Sequence, residues 1–187
     1  MTQQLRFPAF PATPPELPEQ LFNAQTDLFH YPAVSSCHLK HYAKSIGAAG
    51  EALFDSYMLR LGEQPFAAPE SLPFDRLLWR KDSMVRVQIK TCTRMRDGAY
   101  HFSITRGYHG GPQGVRPYAD DQYDILALVI LPLNLIYFTA TKSRTVQVTE
   151  GMLSALRHSP RASFDAALAQ LADARADRPA EPSFVYS

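Results

Sequence analysis

A chain of 187 residues that is 45% hydrophobic and 20% charged has room for one domain with a sizeable core, and this excludes disorder throughout. Two cysteines, Cys37 and Cys92, exclude a disulfide framework and a cysteine-rich zinc cluster. The longest apolar run, 125–138, is broken by Pro132 and Asn134 and falls short of the roughly 20 residues a bilayer span needs. With a net charge of +1 and no basic-then-apolar signal pattern at the start, the expectation is a cytoplasmic protein with no membrane partner.

In chain order, the first 34 residues hold Pro8, Pro11, Pro14, Pro15, Pro18 and Pro32 with aromatic residues between them. Proline at that density blocks regular helix and central strand, so 1–34 is expected to be an extended arm packed through Phe7, Phe10, Phe22 and Phe29. An α/β domain is expected over 35–176. Ser35 or Ser36 caps a helix that continues to Leu61, where Gly62 stops it. Ala49, Leu53, Tyr57 and Leu61 form its apolar stripe. Gly47 and Gly50 each weaken such a helix by about 1 kcal/mol, which points to close approach of another backbone.

A loop containing Pro65, Pro69 and Pro73 follows, then strands over 74–79, 84–91 and 100–105. The glycine-rich stretch 107–114 reads as a loop. The apolar run 125–131 reads as a strand buried on both faces, with a further strand over 135–139. Ser163 caps a last helix, 164–174, and a proline-containing tail runs from 177 to 187. Helix, strand run, helix is the order of an α/β fold with a mixed central sheet flanked by helices.

The chemistry gathers on 84–90. Val85, Val87 and Ile89 point one way, and Arg86, Gln88 and Lys90 point the other. If 80–83 closes as a two- or four-residue turn, Trp79 lies opposite Met84, and Asp75 opposite Gln88 on the same face. A three- or five-residue loop shifts the register by one and separates them. In the first register an acid, an amide oxygen and an ammonium converge, a set suited to a hard divalent cation beside a scissile phosphate. From 75 to 106 eight basic side chains face three acids, a local charge of +5 that attracts phosphates. Arg94, Arg96 and Arg106 fit phosphate-backbone contacts, with solvated charge as the alternative.

Gly47-Ala48-Ala49-Gly50-Glu51, then Phe74-Asp75, then Val87-Gln88-Ile89-Lys90-Thr91 resembles the PD-(D/E)xK nuclease superfamily. The similarity is strongest to its branch with glutamine in place of the second acid, which includes a homing-endonuclease group. The segment 118–124, the apolar strand after it and Tyr137-Phe138 are similar to the pattern that follows this core, so the resemblance covers 46–139. It departs in having Phe74, not proline, before Asp75, with Pro73 one residue earlier, and an uncharged Gln88. The resemblance implies a restriction-endonuclease-like αβββαβ core and a Mg²⁺- or Mn²⁺-dependent endonuclease acting on DNA. It makes Asp75 the main metal ligand, Glu51 a metal-proximal carboxylate, Gln88 a ligand or water-positioner and Lys90 the catalytic amine. By analogy it also implies paired sites in a homodimer or higher homo-oligomer.

Two readings from other classes stand beside it: a catalytically silent module of this fold that binds DNA or a protein, and an interaction protein whose arm mediates self-association. Among the remaining polar residues, Asp55 reads as an exposed helix acid. Asp120, Asp121 and Asp124 read as solvated loop acids. His38 and His41 share a helix face but lack the further ligands of a zinc site. Tyr100 and Tyr108 read as sheet packing, with base stacking as the alternative.

Overall fold

The computed structural model describes residues 36–80, 83–107, 110, 112 and 114–176, so the arm at 1–34, the tail at 177–187 and Tyr108 lie outside the described residues. The chain divides into two units, 1–42 and 43–187. The described part of the first is a six-residue helix, α1 (Ser36–His41), followed by Tyr42, whose ring meets that of His41 edge to face at 4.8 Å. The single helix expected over 35–61 is therefore two, because α2 (Ala43–Arg60) starts anew after Tyr42. The apolar residues that anchor α2, Ile46, Phe54, Tyr57 and Met58, lie beyond that break.

Helix α2 ends as Gly62 predicts. Gly62 takes a φ of 81°, its N–H donates to Leu59 O, and the Glu63 N–H reaches back to Met58 O. These are the two bonds of a Schellman cap, which needs a left-handed residue at this position. Of the two internal glycines, only Gly50 is explained by close approach. A Cβ there would run into Thr91 Oγ1, whereas a Cβ on Gly47 meets nothing within 4 Å.

The second unit is built on a five-stranded sheet with strands β1 (Gln64–Ala67), β2 (Arg76–Arg80), β3 (Ser83–Cys92), β8 (Ile125–Ile130) and β9 (Leu135–Thr139), in the spatial order β1-β2-β3-β8-β9. All pairings are antiparallel except β3 with β8, so the sheet is mixed. The α/β arrangement expected from sequence is therefore present: a mixed central sheet flanked by helices. Strand β1 falls where a proline loop was expected. Pro65 is tolerated there because β1 is an edge strand, with no second neighbour needing its missing N–H.

One face of the sheet packs Val85, Val87, Ile89, Ile125, Ala127 and Val129 against α2 and α4 (Ala162–Ala176). The other packs Leu126, Leu128 and Ile130 against a second layer. That layer holds α3 (Glu150–His158) and a small sheet of β4 (Met95–Arg96), β5 (Ala99–Ser103) and β10 (Thr145–Thr149), which buries Tyr100, Phe102 and Val148. Strand β8 is thus buried on both faces, as its unbroken apolar run requires. Tyr100 is core packing rather than a base platform.

The parallel step from β3 to β8 passes through β4, β5 and a two-stranded ribbon of β6 (Thr105–Arg106) and β7 (Arg116–Pro117). The β4–β5 hairpin turns at Asp97 and Gly98, both at positive φ, as a two-residue turn of the kind that matches strand twist demands. Ser163 lies inside α4 rather than capping it; its hydroxyl accepts from the Phe138 N–H and so ties α4 to β9. Among the described residues no helix is long and apolar enough to cross a membrane.

Candidate metal and phosphodiester site

The β2–β3 register is the one that brings the acid to the amide. Trp79 pairs with Met84 and Arg76 with Val87, leaving two residues in the turn after Arg80. Asp75, one step before β2, stays in that register through its N–H to Val87 O at 3.0 Å. Beyond it the chain leaves the sheet, so the Ile89 N–H on β3 has no strand carbonyl opposite. The Asp75 carboxylate takes that role: Oδ2 accepts from Ile89 N at 2.7 Å and from Gln88 Nε2 at 2.5 Å.

The same contacts fix which way the Gln88 amide points. Nε2 also donates to Ile89 O at 3.1 Å, so both neighbours are acceptors and the nitrogen must face them. Oε1 is left turned away, on a residue that is only 5% exposed. Among the described residues nothing donates to Gln88 Oε1 or to Asp75 Oδ1. A buried acceptor without a donor costs about 1–3 kcal/mol, so the oxygen of the buried Gln88 is one that a ligand would satisfy.

Lys90 lies two positions along β3 on the same face. Its Nζ donates to Thr105 O at 2.8 Å and to the Tyr118 hydroxyl at 3.2 Å. The pairing of Thr105 with Pro117 in the β6–β7 ribbon is what sets those two acceptors side by side. Burial pushes the Lys90 ammonium below the usual lysine range, with the Asp75 charge partly restoring it. Asp75 is pushed up by burial; the Ile89 N–H holds it down in part, the Glu51 charge adds to the rise, and Lys90 and Arg76 oppose it. Tyr118 rises to about 12, first through burial and then through the Asp75 charge, so it stays a neutral phenol.

Glu51, on α2, is brought close enough for its charge to act on Asp75, but it is not unpartnered. Arg76 NH1 donates to Glu51 Oε2 at 3.0 Å and to Asp75 O at 2.9 Å, while Arg76 Nε and NH2 clamp both oxygens of Asp55 at 2.7 and 2.9 Å. Asp55 is therefore an arginine-bound acid, not a solvated one. The side-by-side hydrogen bonds and charges of the two acids raise the already high pKa of Arg76 further. Sequence reasoning missed Arg76 and Tyr118, whose roles depend on contacts 21–28 residues away.

The three nucleic-acid candidates divide. Arg106 belongs to the site's surroundings: it follows Thr105 on β6, and its charge lowers Tyr118. Arg94 sits between β3 and β4, where its carbonyl accepts from Cys92 Sγ, and Arg96 is exposed on β4. The expected solvation of Asp124 is overturned. It is 7% exposed, takes the Arg86 N–H at 2.8 Å and both arms of the Arg86 guanidinium at 3.0 and 3.1 Å, and has Arg175 at 3.6 Å. Burial alone would raise this carboxyl, but Arg86 and Arg175 bring it below the usual range.

The fold agrees with one known from a solved protein. A bacterial homing endonuclease, I-Ssp6803I, matches with a TM-score of 0.50 and 16% sequence identity, over 57% of this chain and 78% of that one. The fold is nuclease-like. No protein-family model matches the chain, and no curated protein matches it. At that identity the likeness carries the fold alone, and the site must be judged on its own atoms.

By donor type, these oxygens are of the kind a hard divalent cation takes, alongside several waters. Asp75 Oδ1, Gln88 Oε1 and Glu51 Oε1 accept no hydrogen bond among the described residues, and Asp75 and Gln88 are already joined. The set has two carboxylates and one amide. Among the described residues no cluster of three His, Cys, Asp or Glu side chains is placed to hold a metal.

Proposed function

We propose that the chain is a metal-dependent endonuclease that hydrolyses DNA phosphodiester bonds, with Asp75, Gln88 and Glu51 as oxygen ligands for Mg²⁺ or Mn²⁺ and Lys90 as the catalytic amine. The observation that carries this reading is the pair of oxygens on Asp75 and Gln88 that accept no hydrogen bond among the described residues, with a largely desolvated lysine on the same strand face. The neighbour of like fold is a homing endonuclease, which favours DNA as the substrate. When bound, the cation supplies Lewis-acid charge at the phosphate and acidifies a water.

The chain's own residues do the rest. Gln88 and the Ile89 N–H hold Oδ2 of Asp75 and so orient the carboxylate. Lys90, steadied by Thr105 O and Tyr118, offers positive charge to the phosphate as its negative charge develops. Its lowered proton affinity also suits it to exchange a proton with the attacking water. Arg106, with Arg94 and Arg96, holds backbone phosphates on either side. Cutting both strands calls for two such sites, hence a homodimer or higher homo-oligomer.

A second reading has its own support. Lys90 Nζ is already engaged twice, and Glu51 is held by Arg76, as in a module that binds DNA or a protein without turnover. Lys90→Ala separates the two. In a supercoiled-plasmid assay with Mn²⁺ it is expected to lower cleavage by at least about a hundredfold, with an unchanged circular dichroism spectrum. Cleavage at the parent rate removes Lys90 from the mechanism. A parent protein that binds the plasmid and never cuts it supports the second reading.

A further inference from the structure

The outer part of the sheet carries an apolar surface that the cleavage chemistry does not use. The β1–β2–β3 register places Gln64, Trp79 and Met84 in one row across the sheet, and Phe66, Leu77 and Arg86 in the next. Asp75 and Gln88 form the row after that, and Lys90 lies one step further along β3 on the same side. Paired residues in a sheet project to the same face, so Phe66, Leu77, Trp79 and Met84 share the face of the candidate site. Trp79 is 63% exposed, Met84 54% and Phe66 53%. The second layer covers this face over β8 and β9 and leaves these three open.

The size and position of this surface select its occupant. Fully buried aromatic side chains contribute roughly 150–250 Å² each, so a half-exposed tryptophan, phenylalanine and methionine offer on the order of 300–400 Å² together. That is about half of the roughly 800 Å² per partner that a stable protein interface buries, so a second copy of the chain is poorly served. The patch instead runs directly into the candidate site along one strand. Trp79 lies four positions after Asp75, about 13 Å at the rise of a β-strand. A strand of nucleic acid whose phosphate lies at Asp75 and Lys90 therefore passes over Leu77 and Trp79 within a few nucleotides.

An exposed aromatic side chain lying on an open sheet face binds nucleic acid by stacking on a base, and it can do so only where the base is unpaired and its face accessible. We infer that Trp79, flanked by Phe66 and Met84, is a stacking platform for unpaired bases. The preferred ligand is then a single strand, or a duplex with a single-stranded segment next to the scissile phosphate, rather than continuous duplex. This inference rests on the nuclease reading for its placement of the phosphate.

Trp79 is the sole tryptophan of the chain, so its fluorescence reports on this surface alone. Oligothymidylate of about 12 nucleotides, within the usual site size of single-strand binders, is titrated into the full-length protein without divalent metal. Saturable quenching is expected, with the blunt duplex of equal length binding about tenfold more weakly. Trp79→Ala, followed by anisotropy of labelled oligonucleotide, is expected to lose about tenfold in single-strand affinity, and Trp79→Phe to retain most of it. Unquenched Trp79, equal affinity in Trp79→Ala, or a tryptophan already shielded from acrylamide in the protein alone would each overturn the inference. So would a concentration-dependent gain in mass that Trp79→Ala abolishes, since the surface would then belong to a second copy. Quenching in a protein that does not cleave DNA when Mn²⁺ is then added leaves the platform standing and removes the nuclease; cleavage with Mn²⁺ but no quenching does the reverse.

Discussion

Asp75 and Asp124 lie on one face of β3, one beside Gln88 and the other beside Arg86, only two positions apart, and their surroundings push them in opposite directions. Asp124 has both oxygens filled by a guanidinium and a backbone N–H, and its carboxyl sits below the usual range. Asp75 has one oxygen filled by an amide and a backbone N–H, the other without a donor among the described residues, and its carboxyl sits above the usual range because burial outweighs those bonds. A carboxylate that serves only the fold is saturated by the protein itself. One left short of donors costs stability, as groups reserved for a ligand commonly do.

The sharpest way to break this contrast is to remove each charge while keeping the shape. Asp124→Asn leaves Arg86 and Arg175 without their counter-charge and is expected to cost about 2 kcal/mol in urea unfolding at neutral pH. That figure is discounted because both guanidinium groups stay more than a third exposed. Asp75→Asn should move the other way, stabilising by about 1 kcal/mol while reducing divalent-metal affinity.

Titration sharpens it further. A carboxyl with a lowered folded pKa contributes stability above its unfolded value, and that contribution is lost as pH falls through the folded one. The deficit of Asp124→Asn therefore fades only at strongly acid pH. A carboxyl with a raised folded pKa is penalised above that value and relieved as pH falls through it. The gain of Asp75→Asn should accordingly start to fade first, as pH falls through the raised folded value, and be gone at the ordinary carboxylate value, where the Asp124→Asn deficit only begins to shrink. Unfolding curves of the two variants and the parent across acid pH check both the signs and the order.

Much of this contrast was legible in the amino-acid order, and the rest was not for identifiable reasons. The alternation of Val85, Val87 and Ile89 with Arg86, Gln88 and Lys90 fixes the buried face of β3. Counting back across the turn after Arg80 brings Asp75 to Gln88, because strand pairing is strictly periodic. What counting cannot supply is partnership between distant elements. Arg76 reaches Asp55 and Glu51 across 21 and 25 residues, and Arg86 reaches Asp124 across 38, so Asp55 reads as an exposed acid and Asp124 as a solvated one in the sequence alone.

Other misses had a readable signal. Asp97-Gly98 between two short strands is a hairpin turn, and it would have revealed β4 and β5 as a pair. Val146 and Val148 alternate with Thr145, Gln147 and Thr149 and mark β10. Pro65 concealed β1, since proline excludes a central strand but not an edge.

The central claim is that Asp75 and Gln88 leave oxygens for a cation, and calorimetry tests it most directly. Titrating Mn²⁺ into the full-length protein should give saturable binding near one ion per site, lost in Asp75→Ala and weakened in Gln88→Ala, with no dependence on nucleic acid. Saturable binding that survives unchanged in Asp75→Ala, or none at all in the parent, would contradict the account.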